Sequence, residues 1–457
     1  MLPLRGRRRI PPPTFLALGL LGAIVVGGTL LRLPIAHAGE TVGWIDAFFT
    51  ATSAVCVTGL TVVDTGSRFT SFGQAVILVL IQVGGLGIMT IGTVVLAALG
   101  QRPTSVVREL LRGYASHQPT LRARDVFRTI MLATLIIELI GASLLLVGFW
   151  RDMPFGTALW MAVFHSVSAF CNAGFGLLPD NLIRYADRPL INLTIMTLIV
   201  GGGLGFVVLV ELHKWLRGRR DSSGLPLRLS LHSRVILVGT AVAVIGGAAA
   251  IFTLEASHTL AGRPLGERLL IAAFQSVTAR TAGFNTIDIG ALSNPTLMII
   301  MLLMFVGAGP GSMAGGIKLT TAASLLSLVR HRLRGGREPR LFGRGVGEST
   351  LERAVVLTIF ATLLIFVGVL VIEALHDRPT VVPGHRGFLP VLFEAVSAFG
   401  TVGLSMNLTP LLEPGAKLVI MVLMFVGRLG PLWLMDFYQH LPPPPPVRHA
   451  PEELMVG

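Results

Sequence analysis

Apolar residues in this chain fall into runs of two lengths. The long runs cover about 14–31, 72–99, 126–149, 190–216, 233–254, 297–329, 354–375 and 417–437. An α-helix needs ~20 residues to cross ~30 Å of hydrocarbon, so these read as spans. Between the members of each successive pair lies a shorter run, at about 42–55, 155–170, 265–279 and 388–399. These are too short to span and suit half-membrane helices. The pattern therefore predicts helix, half-helix, loop, helix, four times over.

Each short run leads into a similar sequence. The four copies are Ser53-Ala54-Val55-Cys56-Val57-Thr58-Gly59-Leu60, Ser168-Ala169-Phe170-Cys171-Asn172-Ala173-Gly174-Phe175, Thr278-Ala279-Arg280-Thr281-Ala282-Gly283-Phe284 and Ser397-Ala398-Phe399-Gly400-Thr401-Val402-Gly403-Leu404. Their glycines stand 115, 109 and 120 residues apart. The third copy is one residue shorter between its hydroxyl residue and its glycine. A near-constant period marks repeated structural units. The expected fold is an all-α polytopic membrane protein of four parallel repeats around one pseudo-fourfold pore, with eight transmembrane helices and four re-entrant half-helices. The expected layout is a basic cytoplasmic N-terminus (1–13), repeat one (14–99), linker and repeat two (100–217), linker and repeat three with a broken outgoing helix (218–330), linker and repeat four (331–437), and a proline-rich cytoplasmic tail (438–457).

Non-helical backbone at membrane depth is tolerated only where protein buries it or water lines it. Four such loops are most economically placed around one axis. A glycine there permits positive φ and puts no side chain between backbone and axis. Successive carbonyls can then replace the hydration shell of a cation, and the half-helix C-terminus contributes negative potential below. The expected ligating oxygens belong to Val57, Thr58 and Gly59, to Asn172, Ala173 and Gly174, to Thr281, Ala282 and Gly283, and to Thr401, Val402 and Gly403.

A second set of small-residue strings sits in the outgoing helices, at Val83-Gly84-Gly85, Val200-Gly201-Gly202-Gly203, Val306-Gly307-Ala308 and Val426-Gly427-Arg428. Small residues let membrane helices approach closely. The third unit continues as Gly307-Ala308-Gly309-Pro310-Gly311-Ser312-Met313-Ala314-Gly315-Gly316-Ile317-Lys318. Five glycines and a proline in ten residues do not sustain a helix. The outgoing helix is expected to break here into a loop below the filter that moves to gate it, with Gly307, Gly309, Pro310, Gly311, Ser312, Gly315, Gly316 and Lys318 as its residues. Arg428, where the first and third units carry Gly85 and Ala308, is an arginine at membrane depth and so a functional candidate, expected to lie beside the pore and set an electrostatic barrier. Arg280 is expected to brace its own loop, and Glu138 and Glu394 to be hydrogen-bonded helix residues rather than proton carriers.

Composition sharpens the class. Of 457 residues, 52% are hydrophobic and only 13% charged, and mean hydropathy is +0.74. Soluble domains carry about 25% charge. The net charge of +13 could point to nucleic acid, but its distribution opposes that. The N-terminus, linkers and tail hold 24 Lys+Arg against 10 Asp+Glu, while the other side holds 10 against 13. By the positive-inside rule the basic side, with the N-terminus, is cytoplasmic. The start of the chain, with Arg5 to Arg9, an apolar run and Ala36-His37-Ala38, mimics a secretory signal. The run is long enough to span, and its loss would leave the first unit one helix short. Cys56 and Cys171 sit inside loops and form no CxxC pattern. No HExxH occurs, and His165 beside Ser166 is only a sequence neighbour, so an intramembrane enzyme is disfavoured. A solute-coupled transporter using broken helices would need midplane acids or aromatics, which the spans largely lack.

These motifs closely resemble the Trk/Ktr/HKT superfamily of potassium transporters, and above all its bacterial Ktr-type membrane subunits. The resemblance rests on SAVCVTGL, SVSAFCNAGF, TARTAGFNT, SAFGTVGLS, GPGSMAGGIK and GRLGP, and covers about residues 14–437. It implies potassium uptake across the cytoplasmic membrane, often aided by sodium, with no further cofactor. It implies a homodimer with a pore in each subunit, embedded in the bilayer, and a cytosolic ring of nucleotide-binding regulatory subunits. The loop at 307–316 looks like the family's gate, and Arg428 like its pore arginine. In plant relatives a serine at the first filter glycine goes with sodium transport; Gly59 is glycine here, so potassium is the expected ion.

Overall fold

The computed structural model describes residues 12–98, 123–218, 228–336, 338–375, 381–382 and 385–440. The basic stretch 1–11, most of the linker near 100–125 and the tail beyond 440 were given roles above and lie outside the described residues.

The structure is almost wholly helical. The first unit contains α1 (Pro12–Arg32), the half-helix α2 (Trp44–Val55), a single turn α3 (Thr65–Arg68) and α4 (Ser71–Ala98). The second contains α5 (Ala123–Phe149), the half-helix α6 (Phe155–Phe170), α7 (Pro189–Leu204) and α8 (Phe206–Leu216). The third contains α9 (Leu231–Glu255), the half-helix α10 (Leu265–Thr278), α11 (Asn294–Phe305) and α12 (Leu319–Leu333). The fourth contains α13 (Glu348–Leu375), the half-helix α14 (Phe388–Gly400) and α15 (Pro414–His440). Two small antiparallel hairpins, Arg340–Leu341 with Arg344–Gly345 and Val381–Val382 with His385–Arg386, flank α13 and carry no signal in the apolar pattern.

Local chemistry explains the boundaries. Proline stands in the first turn of α7 and α11, where its missing N–H costs nothing. Ser230 caps α9 by accepting from the Ser233 amide. The Ala36-His37-Ala38 segment is folded back onto the start of α4: Ala38 donates to Arg68 O at 3.0 Å and Thr70 to Ala36 O at 3.0 Å.

Among the described residues, three helices are long and apolar enough to cross a membrane by themselves: Arg128–Phe149 within α5, α9 and α13. Their apolar side chains are largely uncovered, as at Ile140, Val242, Ile245, Ile359 and Phe366. Such belts mark a surface facing lipid rather than water. The half-helices are the reverse: the second half of each is buried against the other units.

The apolar pattern predicts one continuous span over 190–216, with the third unit alone broken. Instead α7 and α8 meet at 104°. The hinge is Gly205, at φ +83, ψ 153. The break is made by the third unit. Gly309 donates to Gly203 O at 3.1 Å and Met313 to Gly202 O at 3.2 Å, so two carbonyls at the end of α7 are satisfied by another unit's loop instead of by α8. The expected break in the third unit is present: α11 stops at Phe305 and α12 starts at Leu319.

Candidate functional site

The half-helices end in loops of one conformation. In each, the residue two before the glycine has positive φ, and so has the glycine: Val57 and Gly59, Asn172 and Gly174, Thr281 and Gly283, Thr401 and Gly403. The amides of these turns point back at the half-helix. Thr58 donates to Ser53 O at 2.8 Å, Ala173 to Ser168 O at 2.7 Å and Val402 to Ser397 O at 2.9 Å. The Gly59 and Gly403 amides donate to the hydroxyls of Ser53 and Ser397 at 3.0 and 3.1 Å. The third loop, one residue shorter, closes with Ala282 donating to Thr278 O at 2.9 Å. It reaches the same backbone pattern over a shorter ring. With the amides spent on the helix side, the carbonyls are left for the opposite side.

The glycines form a closed ring. A Cβ on Gly59 would lie 2.4 Å from Ala173 O, on Gly174 2.7 Å from Ala282 O, on Gly283 2.4 Å from Val402 O, and on Gly403 2.1 Å from Thr58 O. Each glycine abuts the carbonyl preceding the next glycine, in chain order, and the fourth returns to the first. Gly84, Gly202 and Gly427 support this ring from the outgoing helices. A Cβ on each would lie 1.9 Å from the carbonyl of Val55, Phe170 or Phe399, respectively. In the second unit the contact falls on Gly202, one residue beyond the register read from its glycine string. Cys56 and Cys171 are buried at the base of loops one and two.

On one side of the ring lies a cavity of about 330 Å³ whose floor includes Gly59, Gly174, Gly283 and Gly403. Asp64, Asp180 and Asp288 line it, and Asp180 is paired with Arg184 at 2.8 Å. That bond and the charge of the carboxylate raise the Arg184 pKa. The sequence reading missed these acids. The available signal was their place, five or six residues past the ring glycine in three units. Among the described residues, no group of three or more His, Cys, Asp or Glu is set to hold a metal ion.

On the other side lies the glycine-rich loop 306–318. Gly307 donates to Ile317 O at 2.9 Å, closing its neck. Gly315 is pressed against the fourth loop, where a Cβ would lie 2.1 Å from Thr401 Oγ1. Gly309 packs on Leu204 and Ile236, Pro310 and Gly311 face Gly205, and Gly316 faces Gly400. Ser312 donates to Gly309 O at 2.6 Å. Lys318 donates to Ala314 O within the loop.

Two buried arginines hold this loop. Arg428, on α15, donates through Nη1 to Met313 O and through Nη2 to Gly84 O at 3.1 Å. It therefore ties the loop tip to the first unit's outgoing helix. Arg280 does not brace its own loop as expected; its Nη2 donates to Gly307 O at 3.4 Å, at the neck of the glycine-rich loop. Glu138 accepts from Gln82 Nε2 at 3.1 Å on both oxygens, and Cys171 Sγ approaches Gln82 Oε1 at 3.3 Å. Asn172 donates to Ala169 O and Ile199 O, both at 3.1 Å, in the amide orientation that satisfies its neighbours.

The family described as TrkH, cation transport protein, matches residues 23–443. The chain is 40% identical over 427 residues to the Ktr system potassium uptake protein B of Bacillus subtilis (strain 168), covering 93% of this chain and 92% of that one. It is 37% identical over 428 residues to the potassium/sodium uptake protein NtpJ of Enterococcus hirae, covering 93% and 92%. In fold it resembles the crystal structure of the potassium transporter TrkH from Vibrio parahaemolyticus, with a TM-score of 0.70 at 19% identity over 95% of this chain and 86% of that one.

Proposed function

This chain belongs to the TrkH family of cation transport proteins, and on that premise we propose that it takes potassium into the cell through the ring of four loops. The observation that carries the reading is the closed contact of Gly59, Gly174, Gly283 and Gly403 with the carbonyls of Ala173, Ala282, Val402 and Thr58. Backbone oxygens held in a ring, with their amides tied to half-helices, are the chemistry that strips a cation of water. The ligating set is Val57 to Gly59, Asn172 to Gly174, Thr281 to Gly283 and Thr401 to Gly403. The acid-lined cavity above concentrates cations at the mouth.

The loop at 307–316, with Lys318, is the gate. It lies across the inner side of the ring, and its amides and carbonyls are held by Gly202, Gly203, Arg280 and Arg428. Arg428 places a positive charge where an ion leaving the ring must pass, so holding the loop and opposing cations are one act. Opening requires the loop to surrender these bonds, and α7 and α8 then lose what keeps them apart.

The rest of the proposal follows from the resemblance. The protein is a multi-pass protein of the cytoplasmic membrane, with eight spanning helices in four repeats and the N-terminus inside. It works as a homodimer with a cytosolic nucleotide-binding ring, uses sodium as an aid, and needs no other cofactor. It is a transporter and not an enzyme.

The test is growth and rubidium uptake in bacteria lacking potassium transport, with and without Gly59→Ser, supplied with a regulatory partner. Rescue that is lost or becomes sodium-permeable in Gly59→Ser supports ion selection at the ring. Rescue unchanged by the substitution means the ion path lies elsewhere.

A further inference from the structure

Glu394 sits in the middle of the half-helix α14 and is 1% exposed. Its carboxylate is filled by hydroxyls. Ser405 Oγ donates to Oε1, Thr409 Oγ1 donates to Oε2 at 3.1 Å, and the two hydroxyls lie 3.3 Å apart. Ser405 follows the ring glycine Gly403 by two residues and lines the outer cavity. The same segment is tied sideways as well: Asn407 Nδ2 donates to Asp288 Oδ1 at 3.1 Å, and Asp288 also accepts from the Gly290 amide at 3.0 Å. So the segment leaving the fourth loop is anchored from behind by Glu394 and joined to the mouth of the third loop by Asp288.

The other units put weaker groups at this place. Glu394 stands nine residues before its ring glycine. The same count reaches Thr50 and His165, and the shorter third loop brings Gln275 to the position eight before Gly283. Thr50 donates to Asp46 O within its own helix, at 2.8 Å. His165 is bonded through Nδ1 to Met161 O at 2.8 Å, while Nε2 lies 3.3 Å from where a Cβ of Gly176 would be. Gln275 Nε2 donates to Thr286 Oγ1 at 3.3 Å. Among these, Glu394 alone accepts from two side-chain hydroxyls of the segment that follows its ring glycine. A carboxyl group offers two oxygens to neighbouring hydroxyls where a carboxamide offers one, and a buried network that is fully satisfied is rigid.

Resting on the potassium reading above, we propose that Glu394 is a specificity-determining positioning residue. From behind the ring it holds Ser405 and Thr409, and so fixes the outer carbonyls of the fourth loop at the spacing that separates potassium from sodium. It touches no ion. It acts through Ser405 and the two peptides between Ser405 and Gly403.

The experiment uses the full chain in proteoliposomes with the same regulatory partner supplied, reading rubidium and sodium influx side by side for wild type, Glu394→Gln, Glu394→Ala and Ser405→Ala. Loss of one such bond changes a ratio of ion preferences by about fivefold. Ser405→Ala, which loses one bond to the carboxyl group, is therefore expected to raise the sodium-to-rubidium flux ratio by about that factor, and Glu394→Ala, which loses both, by at least as much. Glu394→Gln, whose oxygen still accepts from one hydroxyl and whose NH2 can donate to the oxygen of the other, is expected to hold the ratio within about twofold. A buttress that merely supports folding would lower both fluxes together, in step with the amount of folded protein, and an unchanged ratio in Ser405→Ala overturns the proposal. Ser405→Ala carries the test if Glu394→Ala does not fold, because it leaves the half-helix intact. A wild type with no rubidium flux at all overturns the transport reading and this inference with it, whereas normal wild-type flux with unchanged variant ratios overturns this inference alone.

Discussion

Gly403 lies so close to Thr58 that a Cβ on the glycine would stand 2.1 Å from the threonine's carbonyl oxygen, with φ at +91. These two residues are 345 apart in the chain, and their contact joins the last loop to the first.

That distance orders the ring glycines by their tolerance of alanine. Left-handed backbone costs a non-glycine residue about 1–2 kcal/mol, and the clash adds to it. Rubidium uptake is expected to fall by about tenfold or more for Gly403→Ala. Gly59→Ala and Gly283→Ala, with contacts at 2.4 Å, should follow, and Gly174→Ala, at 2.7 Å, should be the mildest. Uptake normalised to protein amount checks the order.

Arg428 is expected to restrain the inner loop through its two carbonyl partners, Met313 and Gly84. Hydrogen bonds from a charged donor contribute about 1.5–3 kcal/mol each. Arg428→Ala should raise rubidium efflux from loaded liposomes by about tenfold and loosen its discrimination against sodium. Arg428→Lys, a single point charge without the planar fork, should fall between. Equal efflux from all three would remove the restraint.

The bend at Gly205 makes a separate prediction. A Cβ there would lie 3.1 Å from Gly311 O and 3.3 Å from Pro310 O, at φ +83. Gly205→Ala should destabilise the bent form by about 1–3 kcal/mol and displace the loop that faces it. A cysteine placed at Ser312 should then react faster with a water-soluble thiol reagent than in the Gly205 background. An unchanged rate would mean that the loop does not depend on the bend.

Lys417 and Asp46 pair at 2.7 Å, with side chains 13% and 28% exposed, between α15 and α2. The pair straddles the same seam as Gly403 and Thr58. For a partly exposed pair the expected coupling is about 1 kcal/mol. Thermal melting of Lys417→Met, Asp46→Asn and the double variant in detergent gives that coupling directly, and strict additivity of the two single effects would dismiss it.

The seam, the bend and the inner loop differ in how far the amino-acid order dictates them. The alternation of long and short apolar runs was enough to place the half-helices to within about two residues, because burial in lipid or protein forces apolar residues together and helix length follows from membrane thickness. The Ser53 and Ser168 motifs and their two relatives marked the loops, because a glycine is required where backbone approaches backbone. The missing residue in the third copy was also visible, and it appears as the Ala282 bond to Thr278 O in place of the longer turn in the sister loops.

Partner choice was not visible. No periodicity reveals that Phe170 O rests on Gly202 rather than Gly201, since consecutive glycines are equivalent until a neighbour selects one. Nor does an apolar run show where it bends: 190–216 carries Gly201, Gly202, Gly203 and Gly205 as equivalent weak points, and Gly205 becomes the hinge because Gly309 and Met313 from another unit take the carbonyls that would have continued the helix. Arg280 and Arg428 were legible as costly charges at membrane depth, but their partners, Gly307, Met313 and Gly84, are backbone carbonyls that every residue possesses. Local order determined the elements and their repetition, through burial and backbone sterics. The closed ring, the bend and the hold of Arg428 on the inner loop were decided by contacts between units more than a hundred residues apart, where the bonding groups are common to all residues and only their position in space distinguishes them.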